Sequence, residues 1–136
     1  MRQALMLLCC CLPLKHLAVT SPFGYRVNPV TRQYSFHNGV DLAARHDTVY
    51  AVFDGTASVG YDEKLGVFVS VTDSGLTCTY GHLSAILISA GPVISGQAIA
   101  ITGATGRVTG EHLHFGIKYK GQAIDPIQFL YQLIKK

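Results

Sequence analysis

Short runs rich in β-branched and aromatic residues recur along this 136-residue chain, separated by glycine-centred breaks. They fall at 49–53, 56–61, 68–72, 78–82, 98–102 and 112–119, and Val40-Asp41-Leu42 reads as one more. Asp54-Gly55, Ser74-Gly75 and Lys120-Gly121 are turn dipeptides between them. Gly91-Pro92 and Ser95-Gly96 flank a short apolar hop. Such composition between such breaks predicts consecutive short strands. The C-terminus differs. Asp125 can cap a helix that has Pro126 at its first position. Ile127, Leu130, Tyr131 and Ile134 give that helix one apolar face, and Lys135 and Lys136 complement its dipole.

The first segment is also distinct. Arg2 precedes an apolar run over 4–14, the arrangement of a signal peptide, and the run is too short for an ordinary membrane span. No clean small-x-small processing site follows; Ala18 is the nearest candidate. Cys9-Cys10-Cys11 invites a lipoprotein reading, but Leu8 fits that processing poorly. Two readings stay open for 1–19: an export signal, which is favoured, and a retained apolar leader that packs on the domain or tethers it. The domain itself is placed at 20–136, with an exported, periplasmic or cell-envelope location. Cys78 is then its single cysteine and is expected to pack as a small apolar residue, so no disulfide framework is indicated.

Composition narrows the class. Charged residues make up 14% and glycines number 14, which suits one turn-rich β domain around one core. The net charge of +3 is compatible with an anionic polymer such as a cell wall. No basic run interleaved with aromatics supports nucleic acid binding. Gly103-Ala104-Thr105-Gly106 follows no βαβ pattern, so phosphate binding is not expected.

Four of the six histidines cluster in three segments: His37-Asn38-Gly39-Val40-Asp41, Tyr80-Gly81-His82-Leu83 and His112-Leu113-His114-Phe115. A catalytic zinc site has three protein ligands and an open position. Two histidines and an aspartate with two spare imidazoles fit that description. On a strand, His112 and His114 share a face at roughly 6–7 Å, while Leu113 and Phe115 face a core. His37 and Asp41 would stand about 13 Å apart along a straight strand, too far to share an ion. The segment must therefore bend, and Gly39 permits it. His16 and His46 keep the ordinary reading of isolated histidines.

From about Thr20 to Leu130 the chain resembles the lysostaphin-type (LytM) zinc metalloendopeptidases. The matching stretches are Ser21-Pro22-Phe23-Gly24-Tyr25-Arg26 with Pro29, the three histidine segments, Val49-Tyr50-Ala51, Asp54-Gly55, Gly96-Gln97, Gly103 to Gly106, Thr109-Gly110 and Asp125-Pro126. Glu111 and Val108 depart from the family pattern, where a proline and a small hydroxyl residue are usual. The resemblance implies an all-β, antiparallel domain of the lysostaphin type (the duplicated hybrid motif) with a short C-terminal helix. It implies one Zn2+ held by His37, Asp41 and His114, with His82 and His112 as catalytic histidines. Arg26, facing the oxyanion or a substrate carboxylate, and Tyr34, as a hydrogen-bond donor to the tetrahedral intermediate, are further candidates. Glu111 is placed at a solvated strand end, with a hydrogen bond to an imidazole as the alternative. The implied activity is zinc-dependent endopeptidase hydrolysis of peptide bonds in peptidoglycan cross-links or stem peptides. The implied partner is the peptidoglycan peptide, acted on by a monomer. A cell-envelope secretion or conjugation apparatus is a conjectured setting. A non-enzymatic domain that activates another hydrolase, and a zinc carboxypeptidase, are the competing readings.

Overall fold

Alternating apolar and polar residues become strands across most of residues 12–135, the part that the computed structural model describes. The strands are β1 (Val19–Ser21), β2 (Gly24–Val27), β3 (Tyr34–His37), β4 (Val40–Ala43), β5 (Thr48–Tyr50), β6 (Gly55–Asp62), β7 (Gly66–Asp73), β8 (Leu76–Ile86), β9 (Gly91–Val93), β10 (Ala98–Thr102), β11 (His112–Tyr119) and β12 (Gln122–Ile124). One helix, α1 (Pro126–Lys135), follows. Among the described residues, ten strands form one sheet whose main path runs β1-β4-β11-β8-β7-β6-β9. β10 bridges β5 and β8, β12 pairs with β11, and β2-β3 form a separate hairpin. The pairings are antiparallel, so the expected all-β antiparallel domain with a short C-terminal helix is what the chain forms.

The expected run over 49–53 stops at Tyr50 because its backbone partners change. Ala51 N–H donates to Gln97 O, and Val52 N–H donates to the buried Tyr80 hydroxyl at 2.9 Å, outside a strand ladder. β9 carries Pro92, which a sheet tolerates at its edge, where β9 pairs with β6. The hairpin β2-β3 lies in a stretch that the alternation pattern did not mark as strand.

The inward faces build one core. Leu42 on β4, Leu113 and Phe115 on β11, Tyr80 on β8 and Val69 on β7 are fully buried. Phe115 and Tyr80 are register partners with ring centroids 5.5 Å apart. Each such side chain contributes roughly 1.5–3 kcal/mol by leaving water. Cys78 sits in this core as a small apolar residue. Leu14 is also buried in it, and Pro13 O accepts a hydrogen bond from Tyr50 N. The leader expected over 1–19 lies, for residues 1–11, outside the described residues.

Helix α1 begins as expected, with Asp125 Oδ1 accepting from Ile127 N and Gln128 N. Its buried face differs. Leu130 enters the core and Phe129 and Leu133 pack against it, while Ile127, Tyr131 and Ile134 are 36%, 55% and 41% exposed. The sequence offers two apolar stripes one residue apart. The edge-to-face contact of Phe129 with Phe53 selects the one that faces the sheet.

Candidate metal centre

The site lies where three neighbouring strands turn polar side chains away from the core. On β11, Leu113 and Phe115 point inward, so His112 and His114 share the outer face. Register places His114 opposite Asp41 of β4 on one side and opposite Gly81 of β8 on the other. His37 ends β3, and the chain bends through Asn38-Gly39 before β4, which brings His37 back over Asp41. A Cβ on residue 39 would stand 2.8 Å from the His114 ring and from Phe115 O, so only glycine fits this bend.

His82 reaches the same face by a different device. Strict alternation from core residue Tyr80 would put Gly81 outside and His82 inside. Instead the β7-β8 register slips, with Val69 opposite Tyr80 but Val67 opposite Leu83. The extra β8 residue forms a bulge, and His82 takes a positive φ of 61°. Alternation resumes one residue late: Leu83 returns to the core and His82 lines the groove. Its N–H donates to Leu65 O at 2.6 Å, which anchors the bulge. A non-glycine residue held in this region is strained, and such strain concentrates at functional sites.

The atoms converge on one carboxylate oxygen. Asp41 Oδ1 lies 3.3 Å from His37 Nε2, 3.3 Å from His114 Nδ1 and 3.6 Å from His112 Nε2. One ligand atom each from His37, Asp41 and His114 lies within 4.8 Å of the others. Three rings are fixed from behind by carbonyls: His37 Nδ1 to Pro22 O at 2.9 Å, His82 Nδ1 to Thr105 O at 2.8 Å and His112 Nδ1 to Gly110 O at 3.1 Å. A carbonyl only accepts, so each Nδ1 carries the proton and each Nε2 keeps its lone pair when the ring is neutral. The edge-to-face pair His82 and His112 has centroids 4.8 Å apart.

Burial pushes the Asp41 carboxyl up, but a hydrogen bond from His114, and the hydrogen bond and charge that His37 offers when its ring is protonated, with the charge of a protonated His112, outweigh it and hold the group well below the usual carboxylate range. Burial pushes the His82 imidazole down to about 4; the Thr105 carbonyl opposes this, and neighbouring His112 and His114 reinforce it. His82 is therefore neutral near pH 7.

The donor set suits zinc: two imidazole nitrogens and one ionised carboxylate oxygen, with His37 oriented by a backbone carbonyl as ligand histidines usually are. His37, Asp41 and His114 are buried. A groove of about 570 Å³ opens over them.

Arg26 lines this groove on the hairpin face that also carries Ser35 and His37. Tyr34 is not brought to the site: it sits on the outer face of the hairpin, 72% exposed and stacked on Tyr25 at 5.6 Å. Glu111 Oε2 accepts from His46 N and from the Thr102 hydroxyl, and lies 3.5 Å from His46 Nδ1. It thus ties the start of β11 to the 44–47 loop and leaves His112 alone. The spacing missed Pro22, Thr105 and Gly110, which orient the imidazoles through backbone atoms, and Lys64, Arg107 and Lys118, which line the groove.

A family model described as peptidase family M23 matches residues 35–126. DD-carboxypeptidase/endopeptidase Mpg of Neisseria meningitidis is 37% identical over 118 residues, covering 85% of this chain and 27% of its own length. A zinc-containing peptidase from Vibrio cholerae superposes with a TM-score of 0.76 at 35% identity, covering 83% of this chain and 37% of that one. The catalytic domain of lysostaphin from Staphylococcus simulans gives a TM-score of 0.73 at 25% identity, covering 84% of this chain and 92% of that domain. The chain spans about a quarter of the length of the curated relatives it matches.

Proposed function

The chain belongs to peptidase family M23, and from that premise we propose that it is a zinc-dependent endopeptidase acting on the peptide cross-links or stem peptides of peptidoglycan. The observation that carries this reading is the convergence of His37 Nε2 and His114 Nδ1 on Asp41 Oδ1, each at 3.3 Å, beside two further imidazoles. Relatives named as peptidoglycan DD-endopeptidases supply the substrate class. Such a substrate lies outside the cytoplasm, so we place the working enzyme there. No described helix is long and apolar enough to cross a membrane.

His37, Asp41 and His114 are the residues to hold the metal. Zinc, when bound, acts as a Lewis acid on a carbonyl and brings the pKa of water to about 7. The remaining roles belong to the chain. His112 Nε2, with its Nδ1–H committed to Gly110 O, is an acceptor for the proton of an attacking water. Asp41 Oδ1, 3.6 Å away, stabilises the imidazolium that results. His112 then holds the proton that the leaving amine requires. His82 Nε2 is an acceptor by the same reasoning, and its rigid anchoring suits it to orienting water. The tautomers make both rings acceptors before turnover, so stabilisation of an oxyanion by His82 requires its prior protonation.

Digestion of purified sacculi, with mass identification of fragments, tests this function. Cleaved cross-links that disappear on chelation and return with zinc are expected. Intact sacculi from a zinc-loaded protein would overturn the enzymatic reading, and release of terminal D-alanine alone would replace it with a carboxypeptidase.

A further inference from the structure

Arg26 holds the one unmet cationic demand in the groove wall. Its Nε and Nη1 are buried and have no protein hydrogen-bond partner, and they make up the whole set of such side-chain atoms among the described residues. Arg26 is half-buried, and buried N–H donors without an acceptor are costly because they have left water without compensation. Its placement is not loose. Arg26 pairs with Ser35 across the hairpin, two pairs on from Gly24 and His37 and on the same face. Side chains at such diagonal positions lie about 7–8 Å apart. The hairpin is closed firmly: Asn28 Oδ1 accepts from Val30 N and Thr31 N, and Asn28 N donates to Gln33 O.

The rest of the groove has the same sign. Lys64, Arg107 and Lys118 also line it, against the carboxylates of Asp41 and Asp62. Asp41 is committed to the imidazoles, and Asp62 Oδ1 is committed to Lys64 N and Leu65 N in the turn before β7. Lys64, Arg107 and Lys118 thus add positive charge to the lining of the groove in which Arg26 stands.

We propose that Arg26 binds a free carboxylate of the peptide substrate beside the metal centre, and that the groove selects acidic peptides over neutral ones. This rests on the peptidase reading above and narrows it. Guanidinium is the suitable cation, since its planar donors match a carboxylate and it stays charged at every working pH. The carboxylate belongs either to a side chain or branch next to the scissile bond or to a peptide C-terminus. Both present the same chemistry to Arg26.

Three peptides of one sequence test the proposal: one with an acidic side chain beside the scissile bond and an amidated C-terminus, one with a carboxamide there and an amidated C-terminus, and one whose sole free carboxylate is terminal. Dissociation constants by calorimetry and kcat/KM are measured for the zinc-loaded wild type, Arg26→Gln and Arg26→Lys. The wild type is expected to bind and cleave an acidic peptide at least about tenfold better than the neutral one, the scale of a hydrogen bond to a charged group. Arg26→Gln should lower binding and cleavage of the acidic peptide by at least about tenfold more than those of the neutral one, and Arg26→Lys should keep part of the preference. The acidic peptide that shows the preference identifies the source of the carboxylate. Equal losses on acidic and neutral peptides in Arg26→Gln, or no wild-type preference in either measurement, would overturn the proposal. Preferential binding without any cleavage would support it while overturning the peptidase reading.

Discussion

Asp41 and His114 are register partners across β4 and β11, and Asp41 Oδ1 lies 3.3 Å from His114 Nδ1. Two side chains on adjacent strands need no loop to hold them, so this half of the donor set is as rigid as the sheet. His37 is added by the bend at Asn38-Gly39, and His112 and His82 stand to the side.

That division predicts a split between metal content and rate. Asp41→Asn and His114→Ala should lose zinc affinity by more than the roughly 10–100-fold typical of removing an outer partner. His112→Ala should keep zinc near one per chain while hydrolysis falls by about 10²–10⁴, the usual worth of a positioned acid or base. Metal analysis of the purified variants beside a peptide-cleavage assay separates the two groups. Zinc-free His112→Ala protein would move that residue into the ligand set.

Gly39 supplies a second test, because its role is space. A Cβ there meets the His114 Cε1 and Nε2 atoms and Phe115 O, all at 2.8 Å. Gly39→Ala must move either the imidazole or the β11 backbone, and overpacking of this kind costs about 1–3 kcal/mol. The ring is the softer of the two. Zinc affinity should therefore fall at least about tenfold while the far-ultraviolet circular dichroism stays that of the wild type.

How much of this was legible in sequence follows from period and backbone. The side-by-side placement of His112 and His114 follows from a period of two, and the bend at Gly39 follows from the reach of a strand. His82 was legible as a residue but not as a direction: alternation points it inward with Tyr80, and the β8 bulge with a positive φ turns it out. The one hint is Gly81, since an isolated glycine within a strand often marks a bulge. The carbonyls of Pro22, Thr105 and Gly110 were silent, since any residue supplies one. The face of α1 was ambiguous because Phe129, Leu130 and Leu133 form an apolar stripe beside the expected one. Tyr34 follows the same period that placed His37, and three positions apart on a strand they face opposite sides.

The carbonyl that holds His82 depends on two glycines. Gly106 has φ 85°, and a Cβ on it would lie 2.4 Å from Gly66 N and 2.6 Å from Lys64 O. Gly106→Ala therefore strains the 105–107 loop and pushes it off β7, taking Thr105 O from His82 Nδ1. A stability loss of about 1–3 kcal/mol is expected from the backbone alone. At a temperature where the variant is folded, kcat should drop with zinc content unchanged, which separates this effect from that of Gly39.

Tyr80 offers a test confined to the core. Its hydroxyl accepts from Val52 N at 2.9 Å, both residues being fully buried. Tyr80→Phe keeps the ring against Phe115 but leaves that N–H unsatisfied, at a cost of about 1–3 kcal/mol. Urea unfolding should show a lower midpoint with an unchanged slope. A neutral result would mean that Val52 N finds water.

Glu111 gives the pH dependence that lies apart from the metal ligands. The N–H of His46 holds its carboxyl below the usual value of 4.5; slight burial opposes this, and the Thr102 hydroxyl assists it. The folded state thus binds its proton more weakly than the unfolded chain does. Such a group stabilises the fold above the unfolded pKa, and the contribution disappears as pH falls from about 4.5 through the folded value. Glu111→Gln lacks the titration altogether. The wild type should melt above the variant near neutral pH, and the gap should close on acidification below pH 4.5. The gap should be small, because the half-buried carboxylate is still reached by solvent, which screens it. A gap of constant size down to pH 3 would mean that Glu111 holds the 44–47 loop through packing, with its charge irrelevant.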